Sequence, residues 1–225
     1  MTGKAGSAER IRDLLTSARL RQAGIRSAPD LSQPSVAESA HLWSRPNLAG
    51  RLVEISGARA VASLTAAVGL VRDAQAGGEP VVWITLPRTT FYPPDVADSG
   101  VDLASLAVVR VPDGRTAARA ADRLIRSGAF GLVVLDLGTD GQIATALQGR
   151  LVGLAQKHDS AVVCVTAKNA DAPSIGSMVS LRVEALREPL ELPGRFRCKL
   201  RVLKDKQRGP SWQHAEEVRG PAGLR

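Results

Sequence analysis

Aromatic residues are scarce, with Phe, Trp and Tyr making up 3% of the 225 residues. A platform that stacks successive nucleic-acid bases needs several of them, so that mode of binding is a poor expectation. Cysteine is equally sparse. Cys164 and Cys198 sit in the apolar, strand-like runs AVVCV and RFRCKL. There is no CxxC and no Cys/His cluster, which argues against a disulfide framework and against a metal site. The two thiols read as small core residues. No apolar run approaches the roughly 20 residues that span a bilayer. The N-terminus MTGKAGSAERIRDLL has no apolar signal core, so the expected location is cytoplasmic, with no membrane partner. Negative charge is also in short supply. Lys and Arg number 30 against 22 Asp and Glu, a net charge of +8. That balance favours an anionic or acidic partner and leaves weak, non-specific DNA contact open.

What is present divides the chain in two. Residues 1–49 read as an N-terminal helix followed by a linker. Ser7 is a candidate N-cap, and Ile11, Leu14, Leu15 and Ala18 share one face of a helix over 7–22. Arg10, Arg12, Arg19 and Arg21 lie largely off that face. Such a helix either packs on its own core or docks on another protein. Pro29, Pro34 and Pro46 among many Ser and Ala predict extended, loosely ordered chain over 23–49. From residue 50 the apolar content rises, at 44% overall enough to bury a core. Strands are predicted at 51–55, 80–86, 106–111, 131–137 and 160–166, with helices near 62–76, 116–128 and 142–158. This alternation predicts a parallel sheet covered on both faces. The last third changes rhythm. VSLRVEALRE and GRFRCKLRVLKDK alternate without a helix between them, which predicts an antiparallel hairpin closing the sheet. Its second strand turns Phe196, Cys198, Leu200 and Val202 one way. Arg195, Arg197, Lys199 and Arg201 face the other, as a basic surface that is either a solvated edge or a contact face.

The stretch GRLVEISGARAVASLT (50–65) has the strand, glycine turn and helix start of a nucleotide-phosphate loop. That loop needs Gly-x4-Gly-Lys-Thr, so that backbone N–H groups and a lysine hold the phosphates and a hydroxyl holds magnesium. Gly57 matches the first glycine. Ala62 stands for the second, Ser63 for the lysine and Leu64 for the hydroxyl.

The order GRLVEISG, GVDLASLAVVRVPDG, ADRLIRSGAFGLVVLDL and RVLKDKQRGPSWQHAE resembles the core of the RecA family over about residues 50–220. The resemblance implies a RecA-like, doubly wound, mainly parallel α/β sheet with an antiparallel C-terminal hairpin, helices on both faces and an N-terminal helical arm. It places the Walker B aspartate at Asp136. The glutamate that orients the attacking water falls at Arg88, which cannot act as a base, and the switch glutamine falls near Ala167. Lys204 and Lys206 match lysines that RecA extends toward a neighbour's nucleotide. The first DNA loop is largely absent, and the second shrinks to KNADAPSIGS (168–177). The pattern is similar to the ImuA family of the mutagenesis cassette, within the RecA/SulA superfamily. It implies a non-enzymatic accessory protein of SOS-induced translesion mutagenesis, with no nucleotide cofactor. The implied partners are RecA, an ImuB-like inactive Y-family polymerase and an error-prone replicative-type polymerase. The expected contact residues are Ile11, Leu14, Leu15, Arg195, Arg197, Lys199, Arg201, Lys204 and Lys206. The alternatives are a SulA-like division inhibitor and a basic nucleic-acid-binding module.

Overall fold

The computed structural model describes residues 42–57, 62–139 and 141–220. The candidate docking helix, with Ile11, Leu14 and Leu15, lies outside the described residues.

The strands that read as unbroken apolar runs are interior strands. β1 (Leu52–Ser56), β2 (Val81–Thr85) and β5 (Ala161–Thr166) are buried at every position, and β4 (Leu132–Gly138) at every position but its last. Burial on both faces is what a parallel sheet between helical layers imposes. β3 (Leu106–Arg110) is mostly exposed and forms one edge. β6 (Leu181–Pro189), β7 (Arg195–Asp205) and β8 (Gln213–Arg219) complete a single sheet of order β3-β2-β4-β5-β1-β6-β7-β8. The first six are parallel, β7 pairs antiparallel with β6, and β8 pairs antiparallel with β7. The mainly parallel α/β sheet with an antiparallel end is therefore as expected. β6 and β7 form the expected antiparallel hairpin, and β8, which the sequence did not predict, pairs with β7 and takes the edge position.

Strand alternation divides the core. Val53, Ile55, Trp83, Val134 and Val163 point to one face, where α2 (Ser63–Ala76) covers them with Ala66, Ala67, Leu70, Val71 and Ala74. Leu52, Val82, Ile84, Leu135 and Val162 point to the other. There α4 (Gly114–Arg126) and α5 (Thr145–Lys157) supply Ala117, Ala121, Ile125 and Leu151. Each fully buried aliphatic side chain contributes about 1.5–3 kcal/mol. Local chemistry sets the helix ends. The Asp113 carboxylate accepts from Thr116 N–H at 2.7 Å and caps α4, and Gly128 closes it at φ 70°.

Two short elements fall where turn or linker was expected. Pro93 and Pro94 open α3 (Pro93–Asp98), since proline fits the first helical turn. Inside the predicted linker, α1 (Arg45–Leu48) is a helical turn held on the core. Leu48 is buried, Arg45 N–H donates to Asp73 at 2.6 Å, and the Arg45 guanidinium meets Glu79 at 3.1 Å and Asp159 at 3.2 Å. Among the described residues, no helix is long and apolar enough to cross a membrane.

Candidate functional site

In open α/β sheets, sites form at the C-terminal ends of the strands, where the loops leave. β1 ends at Ser56, and Gly57 N–H donates to Thr166 O on the neighbouring strand at 3.3 Å. Residues 58–61 lie outside the described residues. The chain is next described at Ala62, which is buried and whose N–H donates to Ala185 O at 3.4 Å. α2 starts there without a side-chain cap. Ser63, at the lysine position, is buried, and its hydroxyl has no hydrogen-bond partner. Leu64, at the magnesium-ligand position, is 41% exposed.

Asp136 is the next residue to place. It stands opposite Thr85 on β2 and is buried. Thr85 Oγ1 and Thr89 Oγ1 lie 2.6 Å apart beside it, and Trp83 packs on Phe91 with ring centroids 5.5 Å apart. Burial raises the Asp136 pKa from 3.8 to about 6, and the nearby Thr89 hydroxyl and Trp83 indole offset this only in part. Its Oδ2 and the Trp83 Nε1 each make no hydrogen bond of normal geometry. Arg88 is exposed on the turn after β2 and makes no ion pair among the described residues. These side chains do not fit a magnesium nucleotide. Among the described residues no lysine faces the helix start, and the Leu64 side chain offers no oxygen to a metal. Among the described residues no three His, Cys, Asp or Glu side chains cluster to hold a metal.

The loop after β5, read as a shortened DNA loop, is tied to the sheet by two buried charges. The Glu54 carboxylate on β1 accepts from Thr166 Oγ1 at 3.0 Å, Ser174 Oγ at 2.7 Å and Ile175 N–H at 3.0 Å. Arg182 on β6 stands 3.7 Å from Glu54 and donates to Asn169 O at 2.8 Å and to Ala172 O. Gln148 Nε2 on α5 holds Ile175 O at 3.1 Å, and Lys206 Nζ holds Ser177 O at 2.6 Å. Lys206 is thus used within the chain. Lys204 lies opposite Arg182, and burial, then Lys206, lowers its pKa. Nothing in the residue pattern flagged Glu54 or Arg182, because their carboxylate–guanidinium contact exists only across the β1–β6 register.

On the expected basic face of the C-terminal strands, three of the four cations have carboxylate partners. Arg201 meets Glu184 at 2.5 Å, Lys199 meets Glu188 at 3.2 Å, and Arg197 meets Glu217 at 3.2 Å. Among the described residues Arg195 alone of the four makes no ion pair. The site residues therefore fall into three places: the α2 start with Asp136, the pinned loop with Lys204 and Lys206, and the outer face of β7. Both cysteines are free and buried, with thiol pKa values pushed up by burial, to about 12 for Cys198.

No protein-family model matches the chain. Its sequence is similar to the protein RecA of several bacteria. It is 31% identical over 117 residues to RecA of Picosynechococcus sp. (strain PCC 7002), covering 47% of this chain and 33% of that protein. It is 40% identical over 88 residues to RecA of Mycobacterium bovis, covering 39% and 11%. It is 30% identical over 125 residues to RecA of Frankia alni, covering 51% and 36%. The chain is thus a RecA-like α/β protein that spans little more than a third of these relatives' length at most.

Proposed function

We propose that this chain is a RecA-like accessory protein of DNA damage tolerance that works by protein contact and turns over no nucleotide. The relationship to RecA supports a role in the same area of DNA metabolism. One observation carries the rest. The frame of a phosphate loop is retained from Leu52 to Gly57, yet buried Ala62, the unpartnered Ser63 hydroxyl and exposed Leu64 stand where phosphate and magnesium chemistry is required. A scaffold kept without its chemistry is useful as a shape. In this reading the chain presents a RecA-like surface to RecA and to an ImuB-like polymerase partner with its error-prone polymerase. It recruits them to damaged DNA as part of SOS-induced translesion mutagenesis. Direct DNA binding is a minor part of the reading, because Arg197, Lys199 and Arg201 already have carboxylate partners.

The test is biolayer interferometry of the full chain against RecA filaments on single-stranded DNA and against the purified ImuB-like polymerase. Saturable binding to either partner, unchanged in Asp136→Asn and only weakly salt-dependent, is the expected result. Absence of binding to both, or binding that requires ATP and is lost in Asp136→Asn, overturns the reading.

A further inference from the structure

β8 is an edge strand whose protection, among the described residues, is limited to its charged side chains Glu216, Glu217 and Arg219. It pairs with β7 without a register shift over Gln213–Arg219, contains no proline, and among the described residues its other side is unpaired. Natural edges are usually interrupted or covered. At its end lies a cavity of about 700 Å³, between α2, α3 with the segment leading into it, and the ends of β7 and β8. Val68, Trp83, Phe91, Phe196 and Val218 give it an apolar lining, and the carboxylates around it are Asp95 and Asp98 on α3 and Glu216 and Glu217 on β8, the last two paired with Arg72 and Arg197. Tyr92 stands at its rim, 56% exposed.

The charges next to this cavity break a pattern. Along the outer face of β6–β8, cation and carboxylate alternate as pairs, from Arg201–Glu184 through Lys199–Glu188 to Arg197–Glu217. One step further Arg195 and Arg219 stand directly opposite each other in register. Both are exposed, and neither has a carboxylate partner among the described residues. Like charges opposite each other across strands are destabilising, so this end of the sheet is arranged for an anion supplied from outside. Arg187, which lies over the Phe196 ring at 4.1 Å, adds a third cation at the same end.

We propose that the β8 edge and this cavity form a docking groove for an extended, acidic segment of a partner protein. The segment adds to the sheet as a ninth strand beside β8, through main-chain hydrogen bonds. Strand alternation then fixes its side chains. The residue opposite Val218 turns toward the cavity and fills it with an apolar or aromatic group. The residue opposite Arg219 turns to the outer face, where a carboxylate meets Arg219 and Arg195. The recognised pattern is therefore an apolar anchor with an acidic neighbour in an extended chain. This deepens the contact reading above by naming a surface and the chemistry it takes.

The test uses the full chain and a fluorescein-labelled synthetic peptide, TVDFDVTS, followed by fluorescence anisotropy. The expected result is saturable binding that weakens at least tenfold in three cases: when the Phe becomes Ala, when both Asp become Lys, and when alternate peptide amides are N-methylated. The double variant Arg195→Glu/Arg219→Glu changes two exposed side chains and keeps the wild-type melting temperature. It loses the acidic peptide at least tenfold and gains the lysine peptide. Absence of saturable binding, equal binding of the lysine or N-methylated peptide, or indifference to the double variant overturns the groove. So does a dimer of the chain that the same double variant abolishes, which would assign the edge to a second copy. Failure here with RecA or polymerase binding intact removes the groove alone; nucleotide turnover would remove the contact reading and leave the peptide result standing.

Discussion

Replacing Asp136 with Asn should stabilise this protein at neutral pH, which is the reverse of what a metal-binding carboxylate does for a loaded site. The carboxyl is buried opposite Thr85 and its pKa is lifted from 3.8 to about 6, chiefly by burial. A folded-state pKa above the unfolded value means that the folded state holds the proton more tightly. Stability is then fully present below about pH 4 and is lost as pH rises through about 6. At 1.36 kcal/mol per unit, a shift of roughly two units costs about 3 kcal/mol at pH 7. Asparagine removes the charge, but its amide inherits the unpartnered position of Oδ2, which costs about 1 kcal/mol or more. The net gain is about 1–2 kcal/mol, or a rise of about 2–8 °C in melting temperature for a chain of this size. Urea unfolding of both proteins at pH 4, 5, 6 and 7.5 measures it. The gain should be absent at pH 4 and complete by pH 7.5. An Asn variant less stable than wild type at pH 7.5, or a difference that does not vary with pH, refutes the argument.

Three further outcomes follow from the buried polar groups. The buried Arg51 guanidinium meets Asp205 at 2.6 Å, and Trp212 Nε1 donates to the same carboxylate at 2.9 Å. Asp205→Ala leaves that charge unpaired and should cost about 3–5 kcal/mol by urea unfolding, with Arg51→Met/Asp205→Leu recovering most of it. Burial opposes ionisation of Asp205, but hydrogen bonds from Gln207, Trp212 and Arg51 outweigh it and lower its pKa. Its contribution is therefore present above the ordinary carboxylate pKa near 4 and fades as pH falls further. Glu54→Gln weakens the contacts to Ser174 and Ile175, and amide exchange at Ile175 should accelerate at least tenfold while the strands stay protected. A Cβ at residue 176 would overlap the Gln148 amide, so Gly176→Ala should cost about 1–3 kcal/mol and Gln148→Ala should largely restore it.

The interior of the fold was legible because its signal is local. RLVEI, VVWIT, LVVLDL and AVVCVT are apolar runs of strand length, and only a doubly covered parallel sheet buries such runs on both faces. β8 was not legible as a strand, since QHAEEVR offers Val218 and little else to a pattern of alternation, and an edge strand needs no more. α3 was hidden by Pro93–Pro94, which reads as a turn although proline suits a helix start. The site divides in the same way. The substitutions at Ala62, Ser63, Leu64 and Arg88 are visible as letters. The setting of Asp136 is not, because Trp83 and Thr89 come beside it only through the β2–β4 register. Register also decides the charge of the outer face. The carboxylates that meet Arg197, Lys199 and Arg201 arrive from Glu217, Glu188 and Glu184 on two other strands. The same register leaves Arg195 facing Arg219.

The central claim is that a nucleotide-binding frame persists here without nucleotide chemistry. Phosphate release from magnesium ATP by the full chain, with and without single-stranded DNA, tests it most directly. The account predicts no release above the buffer rate under either condition. Release that scales with protein concentration and disappears in Asp136→Ala would contradict it.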